Sequence, residues 1–201
     1  YGDGSSCDYE GSRTTCSVTG HAFYRTFDGL GFNFMGTCDY TLARSTFAME
    51  MTTDQLSVGP WEVQVRHQTC TFNQYAKCIV GLGLHLPGVG DFSFNVQKQV
   101  ILDGMFINAF PYTNGALTIH AHTTFVSLIL HDNSVHITWD WGEFIQIQVP
   151  DQYAGKLAGH CGNFNGISGD DLLLKGSSSV LAADSYQMAI SYNVATLDKT
   201  F

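Results

Sequence analysis

Basic residues are scarce in this sequence: nine Lys and Arg stand against eighteen Asp and Glu, for a net charge of −9. Nucleic acid and anionic membrane surfaces both demand a basic face, so neither is a fitting partner. A bound cation is the more natural counterpart. Charge of either sign is sparse at 13% of residues, about half the usual share. Long apolar runs are missing as well. The longest, such as residues 125–130, are strand-sized and fall far short of the ~20 residues that cross a bilayer, so no membrane insertion is expected. No basic start followed by an apolar stretch marks a signal peptide, and no Asn-x-Ser/Thr offers a glycosylation acceptor. The six cysteines contain no CxxC pair, whereas zinc ligands usually sit a few residues apart. Their spacing favours disulfides over zinc, and with them an oxidising compartment. Gly-x-Ser-x-Gly, P-loop and His-Glu-x-x-His motifs are all absent.

What is present reads as strands. Gly is frequent at 21, and the chain is rich in Thr, Val, Ile and Phe. Alternation is strong across residues 46–149. Trp61, Val63, Val65 and His67 point one way, and Glu62, Gln64, Arg66 and Gln68 the other. Val80, Leu82, Leu84 and Leu86 repeat the pattern, as do Phe92, Phe94 and Val96. Further on come Val126, Leu128 and Leu130; Val135, Ile137, Trp139 and Trp141; and Ile145, Ile147 and Val149. Asp103-Gly104 and Asn114-Gly115 are two-residue hairpin signals, since both central positions of a type I′ turn need positive φ; Asp132-Asn133 is a weaker one. Successive hairpins without intervening helical periods predict an all-β antiparallel sandwich, with at most a short helix within residues 180–192. Gly2, Asp3, Gly4, Ser5 and Ser6 read as a linker. Residues 1–15 are therefore expected as an N-terminal extension and 16–201 as one domain, the whole a piece of a longer protein.

Two enzyme-like constellations can be weighed. His120 and His122 share a strand face, with His131 and His136 across the expected hairpin. A zinc site needs three or four converging ligands with outer partners, and half-buried strand histidines are the better reading. Asp140, Glu143 and Asp151 lie near Trp139 and Trp141, a combination that also occurs at sugar-cleaving sites. Alternation instead sends both Trp into the core, in phase with Val135 and Ile137.

Two distant segments carry more. The first runs from Cys16 through Gly20-His21-Ala22-Phe23-Tyr24-Arg25-Thr26-Phe27-Asp28-Gly29 to Phe32-Asn33-Phe34-Met35-Gly36-Thr37-Cys38-Asp39-Tyr40. The second is Cys161-Gly162-Asn163-Phe164-Asn165-Gly166-Ile167-Ser168-Gly169-Asp170-Asp171. In the second, oxygen-bearing Asn163, Asn165, Asp170 and Asp171 alternate with glycines that permit tight bends. Calcium favours such a set, taking several carboxylate and carbonyl oxygens. On this loop alone, a cation site and a polar Asn/Gly surface turn are equal readings. It is not an EF-hand.

Together the two segments resemble the opening and closing signatures of the von Willebrand factor type D domain of mucins, tectorins, zonadhesin and related extracellular proteins. Tyr-x-Thr-Phe-Asp-Gly, Phe-x-Gly-x-Cys-x-Tyr and Cys-Gly-Asn-Phe-Asn-Gly occur in that order, with strands between and Val149-Pro150-x-x-Tyr153 leading to the loop. The resemblance runs from Cys16 to Tyr192. It implies one Ca²⁺ held by Asp28, Asn163, Asn165, Asp170 and Asp171 with the Ile167 carbonyl. It also implies disulfides Cys16–Cys161 and Cys70–Cys78. Cys38 ordinarily pairs near the domain end in this family, but Tyr192 and Asn193 stand there, which leaves Cys7–Cys38 as the expected third bridge, the alternative being that Cys7 has its partner outside this piece.

Two departures matter. Ala158-Gly159-His160-Cys161 replaces the Cys-Gly-Leu-Cys pair proposed to help multimerisation, and Phe47 stands where its partner cysteine would be. Gly20-His21-Ala22-Phe23 lacks the Asp-Pro at which some members cleave themselves. The resemblance thus implies a secreted, non-catalytic structural or adhesive module acting through other extracellular proteins or neighbouring domains of its parent. The alternative is a carrier or binding domain for one extracellular protein or glycan ligand.

Overall fold

The computed structural model describes residues 12–20, 22–45, 60–130, 135–177 and 179–194. The first strands are β1 (Arg13–Thr19), β2 (Phe23–Arg25), β3 (Gly31–Asn33), β4 (Asp39–Ser45), β5 (Glu62–Cys70) and β6 (Asn73–Leu86). Next come β7 (Gly90–Asn95), β8 (Val100–Leu102), β9 (Met105–Ile107), β10 (Tyr112–Thr113), β11 (Leu117–Ala121) and β12 (Val126–Leu130). The chain then forms β13 (His136–Trp139), β14 (Ile145–Pro150), β15 (Leu157–Ala158), a short helix α1 (Ser185–Ser191) and β16 (Asn193–Val194).

Every pairing among the described residues is antiparallel, and the strands form two sheets. One has the order β10-β11-β12-β13-β14-β1-β2-β3. The other has the order β15-β4-β5-β6-β7-β8-β9, with β16 also on β4. Trp61, Val65, Leu82, Phe92 and Phe94 of the second sheet join Leu117, Ile119, Leu128, Ile137 and Ile147 of the first in a single buried cluster. The alternating residues of the sequence thus become the two inner faces of a sandwich. Each such side chain contributes roughly 1.5–3 kcal/mol by leaving water.

Three sequence expectations are corrected by the structure. Across β5 and β6, Arg66 pairs with Gly81 but His67 pairs with Ile79. The bulge inverts the phase, so Ile79 is buried while Val80 is half-buried. Val96 lies beyond β7 in a turn where Lys98 takes φ 63°, and it is 38% exposed. Asp103-Gly104 is the expected turn, with φ of 47° and 81°. Neither Asn114 nor Gly115 has positive φ. Asn114 instead occupies the corner, its side-chain oxygen accepting from the Ala116 and Leu117 amides at 2.8 and 3.0 Å. Asp132-Asn133 lies outside the described residues.

The helix forms where the sequence allowed one. Asp184 caps it by accepting from Gln187 N at 2.8 Å, and Met188 and Ala189 bury its inner face.

Residues 157–161 run along β4: Leu157 and Ala158 pair with Ser45 and Arg44. His160 N then donates to Thr41 O at 3.1 Å and Cys161 N to Leu42 O at 2.9 Å. Close approach here requires glycine: Gly159 has φ 132°, and a Cβ on it would lie 2.6 Å from Leu42 O. That path delivers the loop after β15 to the turn after β2.

Candidate functional site

The turn after β2 is built by Thr26. Its amide donates to Leu30 O at 2.9 Å, its hydroxyl accepts from Leu30 N at 2.8 Å, and Gly29 closes the turn at φ 89°. Phe27 N donates to Cys161 O at 2.9 Å, docking this turn on the distant loop. The disulfide Cys16–Cys161, with Cα atoms 5.6 Å apart, ties the same loop to β1. Asp28 is thereby brought to the loop, where its carboxylate accepts from Asn165 N at 3.0 Å and Gly166 N at 2.9 Å.

The loop's own side chains form a closed set. Asp170 accepts from the carboxamides of Asn163 at 3.1 Å and Asn165 at 2.7 Å. Asn163 Oδ1 accepts from Asn165 N at 3.1 Å, and Asn165 Oδ1 from Ile167 N at 2.8 Å. The Ile167 side chain is exposed, and its carbonyl accepts from Asp170 N at 3.2 Å. Asp171, 2% exposed, accepts from Thr26 Oγ1 at 2.5 Å and Asn163 N at 3.2 Å. Gly162 makes room for it: φ is 79°, and a Cβ would sit 2.0 Å from Asp171 Oδ1.

All six residues of the expected ligand set are therefore brought to one place. Burial pushes the Asp171 carboxyl up to about 6, the Asp28 charge adding to the rise and the Thr26 and Asn163 hydrogen bonds opposing it. Among the described residues, no three His, Cys, Asp or Glu side chains converge as a metal-holding group. A cation here would depend on carboxamide and carbonyl oxygens beside the acids. The donors on offer, all oxygen and partly anionic, suit a hard cation such as calcium. Thr26, which orients Asp171, had no signal in the sequence beyond its place in the Tyr-x-Thr-Phe-Asp-Gly string.

Cys70–Cys78 closes the hairpin between β5 and β6, with Cα atoms 5.1 Å apart. Cys38 is exposed and makes no bridge among the described residues; Cys7 lies outside them, as does Phe47.

Next to Cys161 lies a buried aromatic cluster that patterning did not reveal. His160 Nε2 lies 3.0 Å from Ala189 O, and Tyr24 Oη lies 2.8 Å from His67 Nε2. The rings of Phe34 and Tyr40 meet His160 at 5.3 and 5.4 Å. Burial lowers His160 to about 3 and His67 to about 4; the Ala189 carbonyl and the Asp39 charge respectively pull the other way. These imidazoles are neutral packing groups.

The enzyme-like constellations separate. His120 and His122 stack with ring centroids 6.4 Å apart, but His120 pairs with Ser127 and His136 with Ile129, two residues further along the intervening β12; His131 lies outside the described residues. Trp139 and Trp141 are buried, their indole N–H groups donating to Gly142 O at 3.0 Å and His122 O at 2.9 Å. Asp140 holds the intervening turn by accepting from Gly142 N and Phe144 N, each at 2.9 Å.

Among the described residues no helix is long and apolar enough to cross a membrane. Residues 16–178 match the family model of the von Willebrand factor type D domain. Zonadhesin of Sus scrofa is 32% identical over 178 residues, which are 83% of this chain and 6% of that protein. Von Willebrand factor of Bos taurus is 30% identical over 172 residues, 83% of this chain and 17% of that protein. The IgGFc-binding protein of Homo sapiens is 28% identical over 162 residues, 80% of this chain and 3% of that protein. The chain thus spans a small part of each relative. With the signature segments joined by a disulfide and the strands in two antiparallel sheets, it belongs to the von Willebrand factor type D domain family.

Proposed function

We propose that this chain is a calcium-stabilised structural or adhesive module of a larger secreted or matrix protein, joining neighbouring domains or other extracellular proteins and catalysing no reaction. One observation carries the calcium reading: Asp28 reaches across 137 residues of sequence to the Asn165 and Gly166 amides, so that oxygens from both ends of the fold converge on one loop. Asp28, Asn163, Asn165, Asp170 and Asp171 with the Ile167 carbonyl would hold the ion. Three carboxylates would leave a charge of about −1, which suits a calcium-rich extracellular medium. Disulfides support the same compartment, since they persist where thiols are not kept reduced. Adhesion or assembly is the natural work of a rigid β-module carried within much longer chains.

An ion that binds only the folded state stabilises it by mass action, about 2.7 kcal/mol at a hundredfold excess over Kd. Calcium should raise the melting temperature by on the order of 5–10 °C over the chelated protein. Asp28→Ala should abolish that rise. Equal melting curves with calcium and with chelator would sink the calcium reading.

A further inference from the structure

A pocket of about 430 Å³ opens between β15, the loop that follows it and the turn into β16. Arg44 of β4, Leu157, Leu173, Tyr192, Asp170 and Asp171 contribute to its walls. Arg44 Nε is buried and has no hydrogen-bond partner. Its guanidinium makes no ion pair among the described residues, unlike that of Arg66, which pairs with Asp39.

The two acids in the same walls do not answer Arg44. Asp171 is held by Thr26 and the Asn163 amide, and Asp170 by the Asn163 and Asn165 carboxamides. Tyr192 shares the Arg44 wall: burial raises its phenol, while a Gly159 hydrogen bond and the Arg44 charge oppose the rise. Nε has essentially no exposed surface, so a ligand in the pocket would meet the Nη end of the guanidinium, whose planar geometry fits a carboxylate. Leu157 and Leu173 add apolar surface, which suits a carboxylate carried on methylene groups better than a bare inorganic anion.

We propose that Arg44 anchors a binding site for an acidic side chain, Glu or Asp, presented by a segment of a partner protein. The site shares Asn163, Asp170 and Asp171 with the proposed calcium loop, and its demand is for an anion at Arg44.

The test is an NMR titration of the arginine Nε–H signals of the full chain with acetyl-Glu-amide, using acetyl-Gln-amide as the neutral control. The Arg44 signal is assigned by its loss in Arg44→Lys and in Arg44→Gln. The Glu compound should shift that signal saturably, and the Gln compound should leave it in place. Arg44→Lys, which keeps the charge but not the fork, should bind about tenfold more weakly by changes at neighbouring amides. The Arg44→Gln chain should keep its melting temperature and lose binding. No saturable shift, an equal shift with the Gln compound, or a stronger response to inorganic phosphate would each overturn the proposal. If Arg44→Gln fails to fold, the Lys variant and the neutral control decide by themselves.

Discussion

His160 has no room for a charge. It is fully buried, one nitrogen faces the Ala189 carbonyl, and Nδ1 has no partner. The unfolded chain binds a proton at this residue below about pH 6.5, while the folded chain resists until about 3. A histidine with a depressed pKa adds stability that is complete above pH ~6.5 and lost as the pH falls, by about 1.4 kcal/mol per unit. His67, lowered to about 4, acts in the same direction. Asp171 acts in the opposite direction: in the ion-free protein its rise from 3.8 to about 6 costs stability as the pH climbs through that range. Urea unfolding between about pH 6.5 and 4.5 should therefore show a flatter slope for His160→Phe than for the parent chain, by about one proton. An unchanged slope would mean that the imidazole is not held neutral. The residue scale is also where the sequence was least legible. Alternation marked His67 as inward-facing, but His160 lies in a loop whose period says nothing about burial. Its environment depends on Ala189, 29 residues on.

At the scale of elements, the sequence spoke more clearly, because a strand with one buried face must alternate. Val126, Leu128, Leu130, Ile137, Ile145 and Ile147 are all fully buried. Legibility ended where the period was broken by a feature without a side-chain signature. The bulge opposite His67 costs no unusual residue, so alternation points Val80 inward and Ile79 outward, the reverse of their burial in the fold. The helix had the reverse problem: seven residues are too few for a period, but Asp184 supplies a cap signal. That cap matters beyond α1, since the helix carries the Ala189 carbonyl that receives His160. Asp184→Ala should cost about 1 kcal/mol, measured by urea unfolding, whereas Asp184→Ser should cost a few tenths. Equal losses would show that the cap is not what holds the helix. The site was legible for a different reason. Oxygen-rich residues interspersed with glycine suggested the loop, but only the family resemblance linked it to Asp28. The backbone amides that receive Asp28 have no sequence signal at all.

At the scale of the molecule, the first strand and the last large loop are bound by Cys16–Cys161, which spans 145 residues. Both sulfurs belong to residues no more than 1% exposed. In tension, this bridge is a short circuit. Once the pairings of residues 13–15 with β14 and of β16 with β4 have peeled away, a pull on the chain crosses one covalent bond from Cys16 to Cys161, and the chain between them carries no load. About 500 Å of extended chain is thereby hidden from stretching. A single-molecule pull on the oxidised protein should release only the segments outside the bridge. After unfolding in reductant, the same pull should lengthen by that ~500 Å. A module of this kind would be a link of limited stretch: the residues before Cys16 and after Cys161 can yield to force, and the chain between them cannot lengthen.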